Sequence, residues 1–352
     1  MNLPFRIQSE AGSEPVISVD GAWGAPGLSL SHWPGNTTPA ALKHELSTGI
    51  ALAFSSLPAA EQAELSAGCV AVCNNHFDTD GLCALFAILH PAEALERKDE
   101  LLAAARAGDF FQVPSEAAFI VDAIVSGVCD PARSPWREQF AGLSDTERYE
   151  LCTRELLGRL AGLLDGETAE FESLWQPALD ALRMDQAHLA QCAMDELVHL
   201  DACIWTTPED AGSDIGRHAL FGATDCDKIL LISPARAGAT FRFLLGTRSW
   251  FDLPAGTTQP RPNLAALADK LNAAEGTTAE DAHAWRHQEE KSASPELWFG
   301  APDFEHFSSR AGDVLAPSSL DPLAVKAVVI DALRENWIFP EEEEEEELTF
   351  GA

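Results

Sequence analysis

Apolar residues fall into short runs whose spacing alternates between the period of a strand and the period of a helix. The first twenty residues alternate loosely (PFRIQ, PVISVDG) and predict one or two short strands. A Pro/Gly/Asn loop with His32 and Asn36 leads into a helix from about Pro39 to Phe54, with Thr38 as its cap and Pro39 at the first helical position. Cys69 to Cys73 reads as a buried strand, and an apolar helix follows from near Leu82 to residue 89. Residues 92–107 form another helix, ending at Gly108 with Asp109 just beyond it. PSEAAFIVDAIVSG gives a helix opened by Pro114, and from Ser144 to about Glu196 the pattern is almost wholly helical, broken at Asp165–Gly166 and near Arg183.

The texture changes after that point. VHLDACIWTTP (198–208) alternates as a strand, and GSDIGRHALFGAT gives a short helix. CDKILLIS and TFRFLLGTRSWFD read as a hairpin across PARAGA. NLAALADKLNAAEG is an amphipathic helix stopped by Gly276, AEDAHAWRHQEEK a charged helix, and 321–337 a last one. No internal repeat is visible. The order of elements predicts an α/β fold in two domains: a parallel-sheet, metal-binding domain over 1–205 and a smaller α+β domain over 206–340, with a substrate cleft between them. The run Glu341 to Glu347 repels itself, so 341–352 is expected to be a disordered acidic tail.

Charge narrows the function classes. The net charge is −33, to which the glutamate run contributes only 7. Such a field repels polyanions and argues against a long duplex nucleic acid as partner. A small phosphorylated substrate stays compatible, because bound divalent cations invert the local potential. No apolar run reaches the roughly 18 residues of a membrane span, and the N-terminus lacks the charge and apolar core of an export signal, so a cytoplasmic protein without a membrane partner is expected. The eight cysteines are scattered, without a CxxC pair, and read as small core residues. A homodimer is compatible with all of this. There is no GxSxG, P-loop or GxGxxG motif, which removes the commonest hydrolase, NTPase and dinucleotide readings.

The densest chemistry lies in HFDTDG, where His76, Asp78 and Asp80 occur two apart in a loop leaving a strand, with Gly81 letting the chain turn into the helix. Carboxylates with one imidazole suit Mn²⁺ or Mg²⁺, whereas structural zinc prefers thiolates. The plainer reading is that Asp80 caps the helix and His76 ends the strand. Strand, HFDTDG and apolar helix together resemble the first signature of the DHH phosphoesterase superfamily, which includes RecJ-like exonucleases, nanoRNases and manganese pyrophosphatases.

That resemblance implies a Rossmann-like metal-binding lobe, a smaller DHHA1-like substrate lobe, and His76, Asp78 and Asp80 as ligands of one or two Mn²⁺ ions. Asp109 is the candidate for the family's isolated metal aspartate, against a reading as a solvated loop carboxylate. The chain has no Asp-His-His triplet and no Gly-Gly-Gly-His loop. The expected activity is divalent-metal-dependent hydrolysis of a phosphoester or phosphoanhydride in a small molecule or short oligonucleotide. The alternative is a degenerate metal-binding or scaffold member of the same fold.

Substrate candidates are His32, before a helix N-terminus suited to anions, His218, and Arg248 with Trp250. His199 and Asp201 could stand in for the missing triplet or simply face out of a strand. His283 and His287 have the i, i+4 spacing of a metal pair on a helix but lack the HExxH glutamate, which favours an exposed charged helix.

Overall fold

The computed structural model describes residues 3–8, 10–212, 215–254, 258–289, 291–302, 314–335 and 337–338. The acidic tail expected over 341–352 lies outside the described residues. The fold is α/β and contains two sheets.

Strands β1 (Phe5–Ile7), β2 (Val16–Val19) and β3 (Gly27–Leu30) precede helices α1 (Ser47–Ser55) and α2 (Ala59–Leu65). Strand β4 (Val72–Asn74) then inserts between β1 and β2, giving a wholly parallel sheet in the order β1-β4-β2-β3. Helices α3 (Thr79–Leu89), α4 (Pro91–Glu96), α5 (Lys98–Phe110), α6 (Glu116–Cys129), α7 (Asp145–Leu157) and α8 (Leu160–Leu164) follow. The pleat sorts the side chains: Ile17, Val19 and Val72 join the main core with α1, α3 and α6, while Val16 and Cys73 face a small cluster under Trp23. Because all four strands run the same way, the loops leaving them gather along one edge, where ligands of open α/β sheets bind.

Helix α9 (Glu172–Leu189) leads to the second sheet, built from β5 (Ala193–Leu197), β6 (Ala202–Thr206), β7 (Lys228–Ala235), β8 (Gly238–Leu245), β9 (Ala284–His287) and β10 (Glu296–Gly300). Its order is β5-β6-β7-β8-β10-β9, with only β6 and β7 parallel. Along β7, Ile229 and Leu231 pack toward α6, α9 and α10 (Arg217–Phe221), while Leu230 and Ile232 pack toward α11 (Leu264–Glu275) and α12 (Pro322–Glu335). Helix α6 contributes to the cores of both sheets and so joins them.

Several expectations change. The helix expected over 39–54 is a short 3-10 turn at Ala40–Leu42 followed by α1. Residues 92–107 are not one helix: the chain breaks at Arg97 between α4 and α5, and α5 runs past Gly108 to Phe110 before Phe111 turns left-handed. Asp109 therefore sits on the helix. Helix α9 is unbroken at Arg183, and the helical stretch ends before β5. The charged helix expected over 279–291 is instead β9, because Ala284 and Trp285 are buried against β10 and the core beyond it. β3 and β10 went unread, and the β7–β8 hairpin forms as expected.

Candidate metal centre

Three loops at the carboxyl edge of the parallel sheet supply the centre. Asp20 directly follows β2 in a left-handed conformation (φ 63°), which aspartate tolerates better than most residues, and is 1% exposed. His32 follows β3, with its side chain fully buried. His76 and Asp78 follow β4. Asp78, extended at φ −152°, caps α3 by accepting from the Gly81 N–H at 2.8 Å. Asp80, two residues later, does not cap its own helix: its oxygens accept from the N–H groups of Ser47 (2.7 Å) and Thr48 (2.8 Å) at the start of α1, which has no side-chain cap of its own. Asp109 reaches in from the last turn of α5.

Gly81 is required for space and not for a turn, since its backbone is helical. A Cβ there would lie 2.2 Å from the Asn74 amide, 2.9 Å from Asp20 Oδ2 and 3.0 Å from Asp78 Oδ1. The glycine thus lets two carboxylates close over the start of α3.

These side chains form two overlapping donor sets: Asp20, His32, Asp80 and Asp109, and Asp20, His76 and Asp78. His32 Nε2 lies 3.6 Å from Asp20, 3.7 Å from Asp80 and 3.2 Å from Asp109. His76 Nε2 lies 3.0 Å from Asp20 and 2.8 Å from Asp78. Asp20 belongs to both sets. The far nitrogen of each imidazole is held by an oxygen: His32 Nδ1 meets the Glu45 carbonyl at 2.6 Å, and His76 Nδ1 meets Asn75 Oδ1 at 2.7 Å. Donation to a carbonyl fixes the Nδ1–H tautomer of His32 and turns the Nε2 lone pair toward the carboxylates, the arrangement of a metal-binding histidine.

Among the described residues no lysine or arginine pairs with Asp20, Asp78, Asp80 or Asp109; their ionic partners are the two histidines. Asp20 Oδ1 and Oδ2, His32 Nε2 and Asp109 Oδ2 are buried without a hydrogen-bond partner. Uncompensated buried charge is among the costliest features a fold can carry. Burial, with Asp78 close by, raises the Asp20 carboxyl to about 6. Burial and the neighbouring carboxylates Asp80, Asp78 and Asp20 push Asp109 well above the ordinary range. Burial alone would lower His76, but the charges of Asp78 and Asp20 override it and hold the imidazole well above its usual value. Burial would raise Asp78, and His76 overrides that to hold it low. The raised Asp20, Asp109 and His76 reflect burial together with the crowding of carboxylates, and the lowered Asp78 reflects its pairing with His76. The donor set fits hard divalent cations, and two of them would balance four carboxylates.

The structure thus brings His76, Asp78, Asp80, Asp109 and His32 together. His218 and Arg248 belong to neither donor set and bond to other groups. His218 contacts the Ala107 carbonyl (3.1 Å) and Asp122 (3.4 Å) in the wall of a cavity of about 380 Å³ between α6, α9 and α10. Asp122 in turn accepts from the Thr79 hydroxyl at 2.6 Å, one residue from two of the donors. Arg248 donates to the Asp225 carbonyl and lies 4.0 Å from Glu45. Asp201 is buried against Lys228, and His199 packs on Trp337, so neither stands in for a triplet at the cluster. His287 sits on a strand with its Nδ1 at the Gln288 carbonyl.

Asp20 is the donor that the sequence reading missed. Its signal is the Asp-Gly closing the apolar run VISV, a strand end facing the same edge as HFDTDG.

The fold and this centre define an α/β protein with a shared-carboxylate His/Asp site at the strand ends of a parallel sheet. Residues 1–344 match the family of unknown function DUF6687, and the chain belongs to that family. No curated protein and no solved structure matches it.

Proposed function

We propose that the protein is a divalent-metal-dependent hydrolase of phosphoesters or phosphoanhydrides, acting on a small phosphorylated molecule or a short oligonucleotide with Mn²⁺ or Mg²⁺. The observation that carries this reading is the pair of donor sets joined through Asp20, with their orphaned oxygens. The resemblance of HFDTDG to the DHH phosphoesterases supports it. So does the placement of the donors at the carboxyl ends of parallel strands, which suits a Rossmann-like metal lobe facing a smaller α+β substrate lobe. Asp20 and His32 add the donors that the absent triplet leaves wanting.

In this reading His32, Asp80 and Asp109 would hold one ion and His76 and Asp78 a second, with Asp20 common to both donor sets. Ions so placed would lower the pKa of a water and neutralise phosphoryl oxygens. The chain's own contribution is to orient. Glu45 and Asn75 fix the two imidazoles, the start of α1 fixes Asp80, and burial excludes competing water from the His32 side. His76 and Asp78, with side chains 23% and 38% exposed, leave the other side open to substrate.

The second reading, a metal-binding member that hydrolyses nothing, draws on Arg248 and His218 being engaged elsewhere, by the Asp225 carbonyl and by the Ala107 carbonyl and Asp122. Elemental analysis of purified protein, followed by phosphodiester and pyrophosphate assays with added Mn²⁺, separates the two. Two ions per chain with turnover, both lost in Asp20→Asn, is the expected result. A metal-replete protein that turns over no member of a broad phosphate panel sinks the hydrolase reading in favour of the second. Absence of bound metal sinks both.

A further inference from the structure

The segment Thr247–Asp252, which leaves β8 of the mixed sheet, lies across the ion-binding residues of the other sheet. The Thr247 hydroxyl donates to the carbonyl of Asp109. Phe251 stacks on the His32 ring, with centroids 3.7 Å apart and planes 20° from parallel. The Asp252 N–H donates to the His32 carbonyl at 2.7 Å. Beneath the segment, Phe251 and Leu253 pack on Leu46, Ala105 and Phe110, which flank the start of α1 and the end of α5. The segment is itself held rigidly. The N–H groups of Arg248 and Ser249 both donate to the Asp227 carboxylate (3.0 and 2.9 Å), and those of Trp250 and Phe251 return to the Thr247 carbonyl.

The contacts of Thr247, Phe251 and the Asp252 N–H fall on His32 and Asp109, which belong to one donor set only; the segment reaches His76 only indirectly, through Trp250 on Trp33 and Trp33 on His76 (centroids 5.0 Å apart in each pair). A stacked ring covers one imidazole face and stops the His32 side chain from turning away, while the Glu45 carbonyl fixes its edge. We infer that Thr247–Asp252 is a positioning strap for the ion site formed by Asp20, His32, Asp80 and Asp109, with Phe251 its main positioning residue. The inference rests on the metal reading above and adds that the two ion sites answer to different parts of the chain. Outer groups that orient metal ligands typically change affinity about 10–100-fold when removed.

The test is titration of the metal-stripped full chain with Mn²⁺ alone, read by calorimetry and by the paramagnetic signal of free Mn²⁺. Phe251→Ala is placed in wild type, in His76→Ala, where the His32 set stays complete, and in His32→Ala, where the His76 set stays complete. The expected result is an affinity loss of about 10-fold or more in the His76→Ala background and none in the His32→Ala background. Phe251→Tyr, which keeps a ring to stack, should restore binding. Equal weakening in both backgrounds, or a Phe251→Ala protein that unfolds before titration while Phe251→Tyr binds no better than Phe251→Leu, overturns the strap. Unchanged binding in all backgrounds overturns it as well. If wild type binds no Mn²⁺, the metal reading itself fails, a result distinct from wild-type binding that Phe251→Ala leaves intact.

Discussion

Among the described residues, two buried charged regions are finished differently. In the mixed sheet, Glu296 receives Arg217 at 2.5 Å and Arg242 at 2.9 and 3.1 Å, all three side chains being at most 1% exposed. Close by in chain, Lys228 meets Asp201 at 2.9 Å, and Asp201 also accepts from the Asp227 N–H. Each charge there has an opposite charge or a donor supplied by the chain. At the edge of the parallel sheet four carboxylates converge; Asp78 and Asp80 accept backbone N–H groups, but among the described residues the only ionic partners of the four are two imidazoles. A self-satisfied ionic cluster is a structural fastening, whereas a cluster that lacks its counter-charge has the composition of a site that could take a cation.

The largest effect that would sharpen this contrast concerns ion-linked stability. At free Mn²⁺ about a thousandfold above its Kd, each bound ion should stabilise the fold by about 4 kcal/mol. Asp20→Asn, altering the shared carboxylate, should abolish the Mn²⁺-dependent rise in Tm. An undiminished rise would dissolve the distinction between the two regions. Glu296→Ala should destabilise by roughly 3–5 kcal/mol, since it strands two buried guanidinium groups. That loss should be the same with and without Mn²⁺ in thermal or urea unfolding.

A third, smaller effect is in pH. The folded-state Asp20 carboxyl, at about 6, lies above its ordinary 3.8. Its contribution to metal-free stability is therefore full below about pH 4 and is lost as pH rises through about 6. Metal-free Asp20→Asn should accordingly exceed wild type in stability by roughly 3 kcal/mol at pH 7.5, with the gap closing toward pH 4. A gap that widens on acidification would contradict the burial argument. The smallest effect is expected at Lys43, whose 2.8 Å pair with Asp252 is substantially exposed. Lys43→Ala should cost no more than about 1 kcal/mol and leave Mn²⁺ affinity unchanged.

How much of this was legible in the sequence follows from how local each signal is. HFDTDG places His76, Asp78 and Asp80 within five residues, and the strand-to-helix pattern around them needs no distant partner. Asp109 was readable as chemistry but misplaced, because Gly108 imitates a helix stop; the glycine instead lets α5 approach Thr79, where a Cβ would stand 2.8 Å away. Asp20 and His32 reach the centre only because β2 and β3 lie parallel beside β4, and β3, four residues of mixed polarity, carries a weak strand signal. β9 was misread for a related reason, since its charged flanks outweigh a four-residue strand whose burial depends on pairing with β10. His218 and Arg248 stand out in the sequence by residue type alone, and type does not say which way a helix or loop will carry a side chain.

The strap also dictates a sequence of events in synthesis. Asp252 pairs with Lys43 across 209 positions of chain, and Phe251 covers His32 across a similar span. A nascent polypeptide in which the parallel sheet has formed, but β8 is still inside the ribosome, already possesses Asp20, His76 and Asp78. It does not yet have the stacked partner that steadies His32. If the parallel sheet folds as it emerges, the His76 side of the centre would be complete in early translation, and the His32 side would gain its stacked ring only once the later half of the chain docks.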